Sequence, residues 1–393
     1  MKSGKASPQD APPIGIAKMY RQFVDGTLPL FVDRGWDGHA GLVERLGTDL
    51  KPDATMFRRS MVHGRQLYVY SIWAEHTDQA VFKVNADRIF DNLVAQFYDS
   101  QNGGWIESTT LNGQPLSTRR VLYSHAFILF ALTAYRYCLG QERAAPYLDH
   151  TLDYIDQHFK NPSRGYHSLL DPAGSDISEG IEQNPIMHLL EALLFLFEKA
   201  PTDATLKTAQ GIIEFVVRSF LYQGMIIEHL THDCEPHPET GHNVEPGHQF
   251  EWAWLLNWYG QLSGDRKYDD VCKGLIENGL RLGWDQKRGG VFAEVDRHSG
   301  AVTLPTKRIW PLEELIKAVS ACPQHFRSVD IDLPSLTDFL CRHYLNTDGS
   351  WFEQLNEDLS VADRSLRAST CYHTSSALWE ALKTAQPTSS GTD

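Results

Sequence analysis

The chain has 393 residues, 42% of them apolar and 11% aromatic, enough to bury a large core. Its 36 Lys and Arg against 50 Asp and Glu give a formal charge of −14 with no dense basic cluster, which excludes a nucleic-acid backbone as the expected partner. No apolar run is long enough to span a bilayer and the start, MKSGKASPQDAPP, lacks the apolar core of an export signal, so a cytoplasmic protein with no membrane partner is expected.

Six scattered cysteines, Cys138, Cys234, Cys272, Cys322, Cys341 and Cys371, contain no CxxC and read as reduced, buried thiols. Residues 1–13 and the small polar tail 386–393 are expected to be flexible, which leaves 14–385 as one domain.

From Ile14 onward the chain alternates two kinds of helix. Segments near 14–23, 78–97, 143–159, 205–220, 265–282 and 333–344 mix apolar and charged residues at helical spacing, as a helix with one wet side does. Between them, helices start from polar or turn residues and run apolar all round. These are GRQLYVYSIW from Gly64, YSHAFILFAL from Tyr123, NPIMHLLEALLFLF from Asn184, GHQFEWAWLL from Gly247, KRIWPLEELIKAV from Lys307 and CYHTSSALWEAL from Cys371. Each amphipathic helix is followed by a glycine-bounded segment expected to form a short strand or hairpin: GWDGHAGLVE at Gly35, GGWIE at Gly103, GYHSL at Gly165, GMIIE at Gly224, GGVFAE at Gly289 and GSWFE at Gly349.

At the mouths of the apolar helices stand Arg65, His125, His188, His248, Trp310 and His373, 60 to 63 residues apart. Six inner helices, six outer helices and six loops at one end predict an all-α (α/α)6 barrel with short hairpins at its active end. In such a ring the mouth residues converge on one pocket. Histidine exchanges protons near neutral pH, an arginine opposite would stabilise an enolate-like oxygen, and aromatic faces suit a sugar ring. Taken singly, the plainer readings are helix caps, aromatic plugs, a structural ion pair for Arg65, a buried polar pair for His188 and Glu191, and a core role for His125. Taken together, the pattern points to proton transfer on a carbohydrate.

The motifs NPIMHLLEA (184–192), EPGHQFEWAWLL (245–256), KRIWPLEE (307–314) and the late Tyr372–His373 pair resemble those of the N-acylglucosamine 2-epimerase family over nearly the whole chain. The resemblance implies an (α/α)6 barrel that interconverts free sugars through a cis-enediol, with no cofactor, and is greatest toward the branch interconverting mannose and fructose. It makes His373 the base between C2 and C1, and His248 the group that opens the ring, oriented by Glu251. Arg65 would bind the enediol oxygens. His188, Asn184, Trp310, Tyr123, Trp351, Glu353 and His125 would contact or shape the sugar.

C2 epimerisation shares the first proton abstraction and is the alternative, followed by glycoside hydrolysis, which needs two facing carboxylates, and by sugar binding without turnover. The loop holding His229, His232, Asp233, Cys234, His237 and His242 has zinc-like residue types but no standard spacing, so a lid without metal is expected. A monomer or homodimer with a small-molecule sugar substrate is the expected assembly.

Overall fold

The computed structural model describes residues 13–38, 41–327 and 330–385; the expected flexible ends, apart from Pro13, lie outside them. In chain order the helices are α1 (Ile14–Gln22), α2 (Leu28–Arg34), α3 (Ser60–Thr77), α4 (Ala80–Phe97), α5 (Leu122–Tyr137), α6 (Ala145–Tyr154), α7 (Gln183–Lys199), α8 (Asp203–Ser219), α9 (Pro246–Ser263), α10 (Asp269–Gly283), α11 (Ile309–Ala321), α12 (Leu333–His343) and α13 (Cys371–Ala385). The first outer helix runs further than its periodicity predicts. A π-helical turn at Phe23–Thr27 joins α1 to α2, where Gly26 lies so close to Gly349 that an added Cβ would sit 3.0 Å from its Cα.

The odd-numbered helices from α3 to α13 form the inner ring, each packed on the next, and α13 returns to α3. Their sequences explain this position. In α3 every residue from Ser60 to Ala74 is buried, whereas α10 on the outside buries one stripe of Cys272, Leu275, Ile276, Gly279, Leu280 and Gly283. The ring is therefore an all-α (α/α)6 barrel, as expected.

A belt of short strand pairs surrounds one end of the barrel. The strand before each inner helix pairs antiparallel with a strand of the next repeat: 58–59 with 108–109, 120–121 with 169–170, 181–182 with 229–230, 243–244 with 294–296 and 307–308 with 354–355. The last pairing closes the circle, joining Arg45 and Leu46 to Arg367 and Leu366. At five junctions the residue before or after the paired strand accepts the first N–H of the neighbouring inner helix or its cap: Glu44 from Ala368, Glu107 from Ser60, Ser168 from Leu122, Glu228 from Gln183 and Glu353 from Ile309. The helix mouths are thus fixed to one another rather than to their own loops. The histidine-rich loop belongs to this belt, with His229 and Leu230 paired to Glu182 and Ile181, and the Arg297 guanidinium and amide holding the carbonyls of Gly241 and His242.

Three repeats also carry a buried cation on the strand before the helix, paired with an aspartate of the preceding turn. These are Arg58 with Asp37, Arg120 with Asp99 at 2.6 Å and Lys307 with Asp285 at 2.6 Å. The described cysteines are all free, but only Cys272, Cys322 and Cys371 are buried, the others being half-buried. Among the described residues no helix is long and apolar enough to cross a membrane.

Lys307 is fully buried, and Nζ donates to Asp285 Oδ2, to Gly289 O at 2.9 Å and to Glu357 O at 3.1 Å. Lys307→Met leaves Asp285 without its cation and two carbonyls without a donor. We expect a loss of about 3–5 kcal/mol in urea unfolding, the range for breaking one side of a buried pair; a change under about 1 kcal/mol would contradict this role.

Candidate active site

Three of the mouth histidines come together, and all use the same ring nitrogen in the same way. His373 Nδ1 lies 2.8 Å from Glu314 Oε1, His248 Nδ1 lies 2.9 Å from Glu228 Oε2, and His188 Nδ1 lies 3.3 Å from Glu191 Oε2. Nδ1–H donates to the carboxylate, and Nε2 makes no hydrogen bond with any described residue. Trp310 stands between the first two rings, with centroids 5.0 Å from His248 and 5.5 Å from His373. These residues are nearly covered, with exposures of 3% for His188, 5% for His248, 6% for Trp310 and 7% for His373. Ring contacts through Trp310 and Tyr372 gather the three imidazoles into one cup.

Arg65 completes the cup from α3. Its guanidinium donates to Tyr123 Oη at 2.5 Å and to Ser369 O at 3.2 Å, and stacks on the Phe127 and Tyr372 rings at 4.1 and 4.9 Å. Tyr123 in turn meets the edge of His188 with centroids 5.0 Å apart. Asn184, one turn before His188, has a buried Oδ1 with no donor, and Arg65 Nε is likewise unpaired. Orphaned polar atoms at a cup rim are what a hydroxylated ligand satisfies.

The electrostatics divide the two leading histidines. Burial opposes charge on His248, but the carboxylates of Glu228 and Glu245 overcome it and raise its pKa from 6.5 to about 10. His373 moves the other way: burial first, then the Arg65 and Lys317 cations, hold it well below its usual range. His188 drops to about 3, through burial above all. At neutral pH the cup thus presents one imidazolium and two neutral imidazoles, an acid and a base set apart by environment.

Below the histidines lies a fully buried charged layer. Lys317 Nζ is 2.6 Å from Glu314 Oε2 and 3.8 Å from Glu251 Oε1, and Glu251 Oε1 is 3.8 Å from His188 Nδ1. Tyr372 Oη donates to Glu191 Oε2. Two groups are close enough to share a metal ion, His188–Glu191–Glu251 and Glu228–Glu245–His248; none of the described residues of the 229–242 loop belongs to such a group except through Glu228 beside it.

Several expectations need correcting. Glu251 does not orient His248. The helix turn places its carboxylate deeper on the barrel axis, beside Lys317 and His188, and Glu228 from the neighbouring hairpin takes the orienting position. Glu228 is itself held by Gln183 Nε2 at 2.7 Å and by the Glu245 amide at 3.0 Å, with Trp252 Nε1 donating to Gln183 Oε1 at 2.6 Å. His125 is not in the cup. Its Nε2 accepts from the Trp105 amide at 3.0 Å, its Nδ1 donates to Val121 O at 2.8 Å, and its ring stacks on Tyr154 of the outer layer. Trp351 also turns outward, stacked on Phe31 at 6.0 Å, and donates to Glu353 Oε2 at 3.1 Å. Glu353 lies below the rim, 3.6 Å from Arg308 and receiving Thr370 Oγ1 at 2.9 Å.

An inner ring that aims an acid, a base and an arginine at one cup defines an (α/α)6-barrel enzyme of proton transfer. The sequence pattern of the N-acylglucosamine 2-epimerase (GlcNAc 2-epimerase) family matches residues 41–377, and the chain belongs to that family. It is 29% identical to a mannose-6-phosphate isomerase of Rhizobium meliloti over 91% of this chain and 94% of that protein. It is 27% identical to a D-mannose isomerase of Marinomonas mediterranea over 81% of this chain and 83% of that one. A crystal structure of D-mannose isomerase shares the fold, with a TM-score of 0.84 at 23% identity, over 97% of this chain and 100% of that one.

The His248–Glu228 pair also has a signature in stability. Because the folded pKa of His248 is raised from 6.5 to about 10, its contribution is complete below pH 6.5 and is lost as pH rises through about 10. Glu228→Gln removes the larger carboxylate influence, so its unfolding free energy should fall less than that of the wild type between those pH values. Urea titrations at both ends of that window check this, and an unchanged slope would contradict it.

Proposed function

We propose that the protein is an aldose–ketose isomerase that interconverts D-mannose and D-fructose through a cis-enediol. The single observation that carries this reading is the pair of imidazoles flanking Trp310, each with Nδ1 against a buried carboxylate, in surroundings that favour charge on His248 and oppose it on His373. The relatives that are D-mannose isomerases support the choice of sugar.

The reaction needs proton movements alone. His248 donates its Nε2 proton to the ring oxygen as the C1–O5 bond breaks, and the O1 hydroxyl gives its proton back to the same nitrogen as the C1 carbonyl forms, so the pyranose opens with His248 again protonated. His373 Nε2 then takes the C2 proton, while Arg65 stabilises the negative charge that develops on the enediol oxygens. The same nitrogen returns that proton to C1, and the O2 proton passes to O1, which leaves the ketose. His188 and Asn184 hold hydroxyls, and Tyr123 keeps the Arg65 guanidinium in place.

C2 epimerisation remains the second reading, because His248 is a proton donor on a different helix from His373 and could serve the other face of C2. Product analysis separates them. With D-mannose as substrate, fructose should accumulate well ahead of glucose. His373→Ala and His248→Ala should each lower turnover more than about 100-fold, the usual scale of acid–base assistance, with unchanged circular dichroism. Near-normal turnover in either variant would remove that residue from the mechanism, and glucose as the main product would replace isomerisation by epimerisation.

A further inference from the structure

Lys317 is a fully buried lysine that neither reading above employs. It sits on α11 one turn beyond Glu314, with Nζ 2.6 Å from Glu314 Oε2, 3.8 Å from Glu251 Oε1 on α9, and 3.9 Å from the centroid of Trp254. Tyr372 of α13 presents its ring at 5.9 Å. Glu191 of α7 adds its charge from across the axis. One ammonium therefore serves carboxylates from three inner helices, and its closest partner is the one bonded to His373.

We propose that Lys317 is a positioning residue for His373: its ammonium holds Glu314 as a carboxylate, and that carboxylate holds the imidazole in the tautomer whose Nε2 lone pair faces the cup. The proposal rests on the reading of His373 as the base. The two oxygens of Glu314 divide the work, Oε2 receiving the lysine and Oε1 receiving Nδ1–H of the histidine. Burial first and then the nearby Glu251 push the Glu314 carboxyl well above its usual range, and what favours its charged form is the Lys317 ammonium in direct contact with Oε2 at 2.6 Å. Without the ammonium, Glu314 takes one proton from water. A carboxylic acid at that position donates to Nδ1, so the ring proton moves to Nε2 with no change in ring charge. His373 then presents an N–H to the sugar and has no lone pair with which to take the C2 proton.

The test combines kinetics with the tautomer itself. In ¹⁵N spectra of histidine-labelled protein, the wild type should show His373 protonated at Nδ1 and Lys317→Met should show it protonated at Nε2. Lys317→Met should lower kcat by about 100-fold or more while KM changes by less than about threefold, because the lost function belongs to the chemical step. Lys317→Arg, which keeps the charge, should restore most of kcat.

Adding Glu314→Gln to Lys317→Met supplies a neutral carbonyl that accepts from Nδ1–H without a cation. The double variant should regain at least about tenfold over Lys317→Met, a recovery that a merely structural lysine would not give. Wild-type kcat in Lys317→Met, an Nε2-protonated His373 in the wild type, or a double variant no better than the single one would each overturn the proposal. Should Lys317→Met fail to fold, the wild-type spectrum and the Lys317→Arg and double variants still decide it. The spectra need no substrate, so a wild type that converts no mannose would defeat the functional reading while leaving the tautomer result to stand on its own.

Discussion

The site depends on one kind of bond, imidazole Nδ1–H to a buried carboxylate. It fixes which nitrogen faces the sugar, and the charges around each carboxylate then decide whether the ring is acid or base. His248 lies among Glu228 and Glu245, so it keeps its proton. His373 has an equally short carboxylate contact, yet Arg65 and Lys317 are its cationic neighbours and it stays neutral. Two identical side chains on one aromatic platform thus acquire opposite roles without any difference in their own chemistry.

These bonds link adjacent elements, and closure of the ring adds the arginine to them. Glu228 reaches His248 from the hairpin of the same repeat, anchored by Gln183 of the preceding inner helix, and Glu314 reaches His373 from α11 to α13. A solenoid would leave α13 without α3 as its neighbour, and Arg65 would then lie far from Tyr372 instead of stacking on its ring. The belt of strand pairs and the buried Lys307–Asp285, Arg120–Asp99 and Arg58–Asp37 contacts set the rotation of each helix mouth. Buried ion pairs of this sort are weak sources of net stability, and their value here is register.

The fold was legible because burial on every side leaves an unmistakable mark: helices such as α3 and α9 have no charged stripe, their amphipathic partners do, and the two alternate at a nearly constant period. The direction each mouth residue faces was not legible. Counted from the end of the preceding strand, Arg65, His188 and His373 are the sixth residue and line the cup, yet His248, which also lines it, is the fourth, like His125 and His63, which both turn Nδ1 back to a main-chain carbonyl. Neither the offset from the strand nor a spacing near sixty residues resolves which way a mouth residue turns, because two residues of shift already rotate a side chain by more than half a turn of helix. Glu228 carried a signal that was missed. It closes GMIIE as Glu107 closes GGWIE and Glu353 closes GSWFE, and each of these carboxylates grips a group at a helix mouth or its strand. Lys317 carries a signal too, since it lies in KRIWPLEELIKAV, a segment whose period places it among the inner helices, where a lysine needs a carboxylate partner.

The central claim concerns where protons sit, and neutron diffraction from a deuterated crystal near pH 7 observes them directly. The account predicts deuterium on both ring nitrogens of His248, and on Nδ1 but not Nε2 of His373. A neutral His248, or a His373 carrying deuterium on Nε2, would contradict it.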